Sequence, residues 1–97
     1  MGTLIYQAPE VLEKYMYSEM SDIYSIGLIF YAMLKGSSPF DGSNKTEILQ
    51  QMKVLKIENL FDDDKLSKKS REFLIKSLTY EVDKRMRVEE MLNYTFY

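Results

Sequence analysis

The sequence predicts an all-α fold, and three observations carry that expectation. Apolar residues recur at helical spacing behind Ser, Asn or Asp capping candidates. No stretch alternates apolar and polar residues as a strand does, and turn residues crowd the segments in between. At 97 residues the chain is one domain at most, and compact-globule scaling has folding bury roughly 65% of the extended surface. The core is therefore small.

Residues 1–8 lack helical periodicity. Pro9 favours an extended Ala8 and suits a first helical position, so the opening reads as a loop running into a short helix from Pro9 to about Glu13. Ser21 or Asp22 can cap a second helix, apolar from Ile23 to Leu34 except at Ser25 and Gly27, with Lys35 and Gly36 as its stop. A helix apolar all round is a buried one. Its dozen or so residues fall well short of the ~20 that cross a bilayer. Turn residues fill Gly36 to Lys45, and Asn44 with Glu47 makes an Asn version of the capping box. The third helix follows from Lys45 to about Met52, with Ile48, Leu49 and Met52 inward and Glu47, Gln50, Gln51 and Lys53 toward solvent.

Val54 to Lys65 mixes Leu55, Ile57, Leu60 and Phe61 with the acidic run Asp62 to Asp64, has no sustained period, and reads as loop. Ser67 can cap a fourth helix through Arg71, Phe73, Leu74 and Leu78 to about Thr79. A last short helix spans Val88 to Asn93 with Val88, Met91 and Leu92 inward, and the aromatic tail from Tyr94 to Tyr97 packs back. No internal repeat or interdomain linker is evident.

Composition removes several function classes. With no Cys and no His, the chain excludes a disulfide scaffold, a cysteine nucleophile, His-based general bases and the common zinc sites. Its 13 basic and 15 acidic residues, net charge -2, give no global basic field for nucleic acid or an anionic membrane. The opening has no basic n-region and no apolar run of signal-peptide length, so a cytoplasmic location is expected. Asp62 to Asp64 lack the ligand spacing and closing Glu of a calcium loop and read as a solvated turn. Lys65, Lys68, Lys69 and Arg71 read as a solvated face, and the dispersed Met16, Met20, Met33, Met52, Met86 and Met91 read as core filler.

The opening Gly2-Thr3-Leu4-Ile5-Tyr6-Gln7-Ala8-Pro9-Glu10 is similar to G-T-x-x-Y-x-A-P-E, the end of the activation segment of serine/threonine protein kinases. Ser21-Asp22-Ile23-Tyr24-Ser25-Ile26-Gly27 resembles the D-x-W-S-x-G that starts that family's central helix, and Gly36 to Phe40 resembles the following G-x-x-P-F. Thr79 to Arg85 and then Val88 to Asn93 resemble the T-x-D-P-x-x-R region and final helix, closest in flavour to the calcium/calmodulin-dependent branch. The resemblance spans residues 1–97 and implies an incomplete C-terminal helical-lobe portion of the kinase fold.

The resemblance also implies roles. Gly2, Thr3, Leu4, Ile5 and Tyr6 would form the shelf that binds a peptide substrate, and Thr3 would bond a catalytic aspartate and lysine that this sequence does not contain. Leu4 departs from the Pro common there, and the tyrosine-kinase pattern is absent, which favours Ser or Thr acceptors. Ala8, Pro9 and Glu10 would anchor the segment's end, with Glu10 pairing to Arg85. Asp22, which would fasten the absent catalytic loop, keeps only a capping role. Tyr24 replaces the family Trp, Gly27 admits a neighbouring backbone, and Pro39 sets a turn plugged by Phe40. Val82 stands where the family has Pro, and Arg87 stands where it has a capping Ser or Thr.

No G-x-G-x-x-G, G-x-x-x-x-G-K-[ST], H-R-D or D-F-G occurs in the sequence. Hence no catalytic, cofactor or metal residue is assigned to this chain, and ATP and Mg2+ belong to the complete parent domain. The expected partners are a protein substrate or peptide and the N-terminal kinase region, with no nucleic acid and no membrane. Whether the chain serves an active enzyme stays open. The alternatives are a non-catalytic interaction module using Leu4 to Tyr6 and Asn44 to Lys53, or an incomplete or decayed, pseudokinase-like product. Apolar surface near Ile26, Phe30 and Met33 is expected to be exposed, leaving the isolated chain weakly stable or associating.

Overall fold

The computed structural model describes residues 4–55 and 66–94, and among them the only regular structure is helical. A 3-10 turn, Leu4–Tyr6, leads into α1 (Pro9–Lys14), α2 (Glu19–Lys35), α3 (Lys45–Val54), α4 (Lys68–Ser77), a second 3-10 turn (Val82–Lys84) and α5 (Val88–Leu92). Helix α2 is the hub: α4, α5 and the first 3-10 turn all pack on it, while α1 packs on α3.

Local chemistry accounts for the ends of these helices. Extended Ala8 (ψ 154°) precedes Pro9, which opens α1 where its missing N–H costs nothing. Helix α2 starts about one turn earlier than Ser21 or Asp22 would place it. Ser18 caps it, accepting from Met20 N at 3.1 Å, and Ser21 Oγ accepts the Ser18 N–H in return, a Ser–Ser capping box. Asp22 therefore lies inside the first turn, where its charge still favours the helix N-terminus. Gly36 ends α2 at φ 90°, a left-handed conformation open to Gly at no steric cost.

Asn44 caps α3 through Glu47 N at 2.9 Å, but Glu47 reaches back to Ser43 N and Oγ rather than to its own cap residue. Ser67 caps α4. Arg87 stands at the α5 N-cap and supplies no capping bond.

The larger core gathers Ala8, Leu12, Tyr24, Leu28, Tyr31, Phe40, Ile48, Met52, Leu74 and Leu78. A smaller one joins Ile23, Phe73 and Met86, with Phe30, Val88, Met91 and Tyr94 at its edge. Phe73 receives Phe30 and Tyr94 edge-on, each with ring centroids 5.3 Å away. Each such large side chain withdrawn from water contributes about 1.5–3 kcal/mol. At Gly27 an added Cβ would fall 2.3 Å from Ser77 Oγ and 3.0 Å from Leu78 Cδ2, so this glycine lets α4 lie close against α2. The approaching group is the Ser77 side chain, not the backbone expected from sequence.

Several expectations fail. Leu92 is 78% exposed: α5 is so short that only Val88 and Met91 reach the small core. Met16 and Met33 are exposed rather than core, whereas Met52 and Met86 are buried. Helix α2 is not buried all round, since Ile26, Ile29, Met33 and Leu34 face solvent. Phe30 is half-buried against Phe73 rather than exposed. Val54 closes α3, and α4 stops at Ser77 rather than near Thr79. Gly2, Thr3, the acidic run Asp62 to Asp64 and the last three residues lie outside the described residues.

Candidate functional site: an arginine clamp on the N-terminal segment

Arg85 follows the second 3-10 turn with its side chain fully buried, and each of its N–H groups has an acceptor. Nη1 donates to Glu10 Oε2 at 2.8 Å and to the Met20 carbonyl at 2.8 Å. Nη2 donates to Glu10 Oε1 at 3.0 Å and to the Tyr80 carbonyl at 3.0 Å, and Nε donates to the Thr79 carbonyl at 2.9 Å. The guanidinium thus uses its full donor set. It also lies over the Tyr24 ring, 4.9 Å from the centroid.

The acceptors come from α1, the first turn of α2 and the segment between α4 and the 3-10 turn. One planar cation therefore ties together three pieces of chain distant in sequence. The Glu10–Arg85 bond is bidentate, spans 75 positions, and its carboxylate side chain is 12% exposed. Ser21 Oγ donates to Glu10 Oε2 at 2.8 Å, so the hydroxyl that closes the α2 capping box also orients the carboxylate. Burial pushes the Glu10 pKa up. The bonds from Arg85, from its own backbone and from Ser21, with the guanidinium charge, outweigh that and hold it below the usual carboxylate range. Burial pushes Tyr24 up, against the opposing charge of Arg85, so its ring stays neutral.

This clamp holds α1 in place, and the segment before α1 is held from its other side. Ser38 Oγ donates to the Ile5 carbonyl at 3.4 Å and accepts Phe40 N at 3.2 Å, linking the first 3-10 turn to the Pro39–Phe40 turn. Phe40 is fully buried, Ile5 and Tyr6 pack half-buried against the larger core, and Ala8 is wholly enclosed.

The structure thus brings Ala8, Pro9, Glu10, Tyr24 and Arg85 around one junction, with Ile5, Tyr6 and Pro39 beside it. Asp22 stands apart: exposed, it accepts the Tyr17 hydroxyl at 2.6 Å. Gly27 lies at the α2–α4 contact and serves packing. Gly2 and Thr3 are outside the described residues. Sequence reasoning missed Ser21 as a ligand of Glu10, the carbonyls of Met20, Thr79 and Tyr80, and Ser38. Of these only the Ser18-x-x-Ser21 spacing carried a readable signal; the carbonyls depend on chain reversals that no local pattern encodes.

The described residues do not fit a magnesium nucleotide. Among the described residues no group of three carboxylates, His or Cys converges as a metal site. A groove of about 620 Å³ beside the start of α3 is lined by Asp41, Gly42, Ser43, Thr46, Glu47, Gln50 and Gln51, with two carboxylates and no cation to meet phosphates. No described helix is long and apolar enough to cross a membrane.

A family profile described as "Protein kinase domain" matches residues 1–97. The chain is similar to calcium-dependent protein kinase 5 of Plasmodium berghei (strain Anka), 37% identical over 100 residues, covering all of this chain and 17% of that protein. It is also similar to the serine/threonine-protein kinase PEPKR2 of Arabidopsis thaliana, 36% identical over 94 residues, covering 96% of the chain and 20% of the relative. A third relative is testis-specific serine/threonine-protein kinase 1 of Mus musculus, 33% identical over 94 residues and covering 96% and 26%. The chain spans about a fifth of the length of these curated relatives.

Proposed function

Because the chain belongs to the protein kinase domain family, we propose that its 97 residues are the peptide-platform part of a serine/threonine protein kinase domain that does no phosphoryl transfer alone. The observation that carries this reading is the Arg85 clamp. A buried, fully bonded guanidinium holds the segment leading from Leu4 to Glu10 in one geometry, although no nucleotide-handling motif occurs in the sequence. Rigid presentation of such a segment serves binding and orientation of a second molecule.

In the complete domain, Gly2 to Tyr6 would contact the substrate residue next to the accepting Ser or Thr hydroxyl. The phosphates and magnesium would be held by residues that this sequence lacks, so no step of the transfer is assigned to any side chain here. The open face of α2, with Ile26, Ile29 and Met33 exposed, suits a chain that packs against further parts of such a domain.

Two measurements test the proposal. The purified chain, incubated with radiolabelled ATP, magnesium and a Ser/Thr peptide pool, is expected to show no transfer and no saturable ATP binding by calorimetry; either activity overturns it. Residues 1–97 grafted in place of the matching segment of calcium-dependent protein kinase 5 are expected to leave a working Ser/Thr kinase. A folded but inactive chimera would count against the platform role.

A further inference from the structure

Two tyrosines lie in the four-residue connection between α1 and α2, and their surroundings are opposite in charge. Tyr15 closes α1 at φ 57° and is 79% exposed, and Tyr17 is 68% exposed. The Lys45 ammonium stands 4.8 Å from the Tyr15 ring centroid and donates to its Oη at 3.1 Å. Tyr17 Oη instead donates to Asp22 Oδ1 at 2.6 Å.

Lys45 is the first residue of α3, a ten-residue helix whose free N–H groups add positive potential at that end. Asp22 and Glu19 sit in the first turn of α2, and Asp22 is the one bonded to Tyr17. Two other charges stand near the end of α1: Glu13 is paired with Lys53 at 3.5 Å, and Lys14 lines a groove with Glu10 and Tyr17, where its charge is offset by that carboxylate. The phenols respond accordingly. The bond from Lys45 and its charge pull the Tyr15 pKa down, and the bond to Asp22 pushes that of Tyr17 up.

We propose that Tyr15 is a phosphorylation site for a protein tyrosine kinase and that Lys45 holds the resulting phosphotyrosine, while Tyr17 is disfavoured by Asp22. In the modification Tyr15 Oη forms a bond to the γ-phosphorus of ATP and the β,γ-bridging P–O bond breaks. ADP departs, and the phenolic proton passes to the base of the modifying enzyme. The product carries roughly -1.5 to -2 charges at neutral pH. At Tyr15 that charge meets an ammonium already in contact and the start of α3; at Tyr17 it would replace a donor to Asp22 with an anion facing a carboxylate.

The modified Tyr15 latches the end of α1 to the start of α3. Because α1 carries Glu10, the latch acts on the same helix that Arg85 clamps. The inference stands on this loop alone and does not depend on the kinase reading.

The chain is treated with a broad-specificity tyrosine kinase and magnesium ATP, and the phosphate is located by tandem mass spectrometry. Occupancy at Tyr15 is expected to exceed that at Tyr17 at least about fivefold. Phosphotyrosine is then installed at either position by chemical ligation and titrated by 31P NMR. The second ionisation at position 15 is expected about half a pH unit or more below that at position 17, with the gap closing in Lys45→Gln, a change at a half-buried position that belongs to neither core. Equal or greater occupancy at Tyr17 overturns the proposal, as does a 31P titration at position 15 that Lys45→Gln leaves unchanged.

Discussion

Helix α2 has two apolar faces, and only one of them is covered. Ile23, Tyr24, Leu28 and Tyr31 are at most 8% exposed, whereas Ile26, Ile29, Met33 and Leu34 are between 42% and 77% exposed. The residue types scarcely differ. What differs is the opposite wall: α4 and its C-cap residue set Leu74 and Leu78 into the larger core, and α4 meets α2 at Gly27, while the other face meets solvent. Hydrophobicity marks a residue for an interior without saying which chain segment completes that interior.

The sharpest way to break this comparison uses neighbours. Leu28→Lys places a charge at a fully enclosed position and is expected to abolish cooperative unfolding, a loss of about 4–5 kcal/mol or more against the roughly 5–15 kcal/mol total of an ordinary domain. Ile29→Lys, one residue on, is expected to stay within about 0.5 kcal/mol of the parent. Urea denaturation followed by circular dichroism measures both. Similar midpoints for the two variants would remove the distinction between the faces.

Next in size is the clamp on the covered side. Arg85→Met leaves Glu10 and three carbonyls without their donor, and is expected to cost about 3–5 kcal/mol in the same experiment. A loss below 1 kcal/mol, on the order of an exposed ion pair, would show that the guanidinium is dispensable.

At the helix contact itself, Gly27→Ala forces a methyl against Ser77 and is expected to destabilise by about 1–3 kcal/mol despite the better helix propensity of Ala. Ser77→Ala removes the nearest atom and should recover part of that loss in the double variant. Strict additivity of the two changes would argue that the helices simply move apart.

Acid titration gives a smaller effect with a definite sign. The folded Glu10 pKa is lowered from 4.5, so its contribution is complete above that value and is lost as pH falls from about 4.5 through the lower folded pKa. Urea midpoints between about pH 6 and about pH 3 should fall less steeply for Glu10→Gln than for the parent over that window. Matching slopes would mean that Glu10 does not drive the acid response.

The smallest expected change is in stability but not in association. Ile26→Lys with Met33→Lys should leave the urea midpoint within about 0.5 kcal/mol equivalent while reducing any self-association in sedimentation velocity, since both side chains lie on the open face. Unchanged association would place the sticky surface elsewhere.

Local chemistry made much of this molecule readable. Pro9 behind extended Ala8, Asn44 with Glu47, Ser67 and Gly36 each mark a helix end through bonds made within a few residues, and those ends stand close to where the pattern puts them. The start of α2 escaped because Ser21 and Asp22 look like caps while the residue that caps, Ser18, lies about one turn ahead of them. Only the folded chain shows Ser18 as cap and Ser21 shared with Glu10. Leu92 escaped for a different reason: periodicity assigns a face, but a five-residue helix has too little length to bury all of it.

The order of short-range signals was enough to determine most of the helix ends, among them Pro9, Gly36, Asn44 and Ser67, and the family motifs, because each depends on groups that are neighbours along the backbone. Tertiary structure alone decided which face of α2 is covered, that α4 closes on Gly27 through Ser77, and that one guanidinium collects acceptors from three separate pieces of chain. Those outcomes rest on distances between residues tens of positions apart. Such distances exist only after the chain has closed its loops, so no window of sequence contains them.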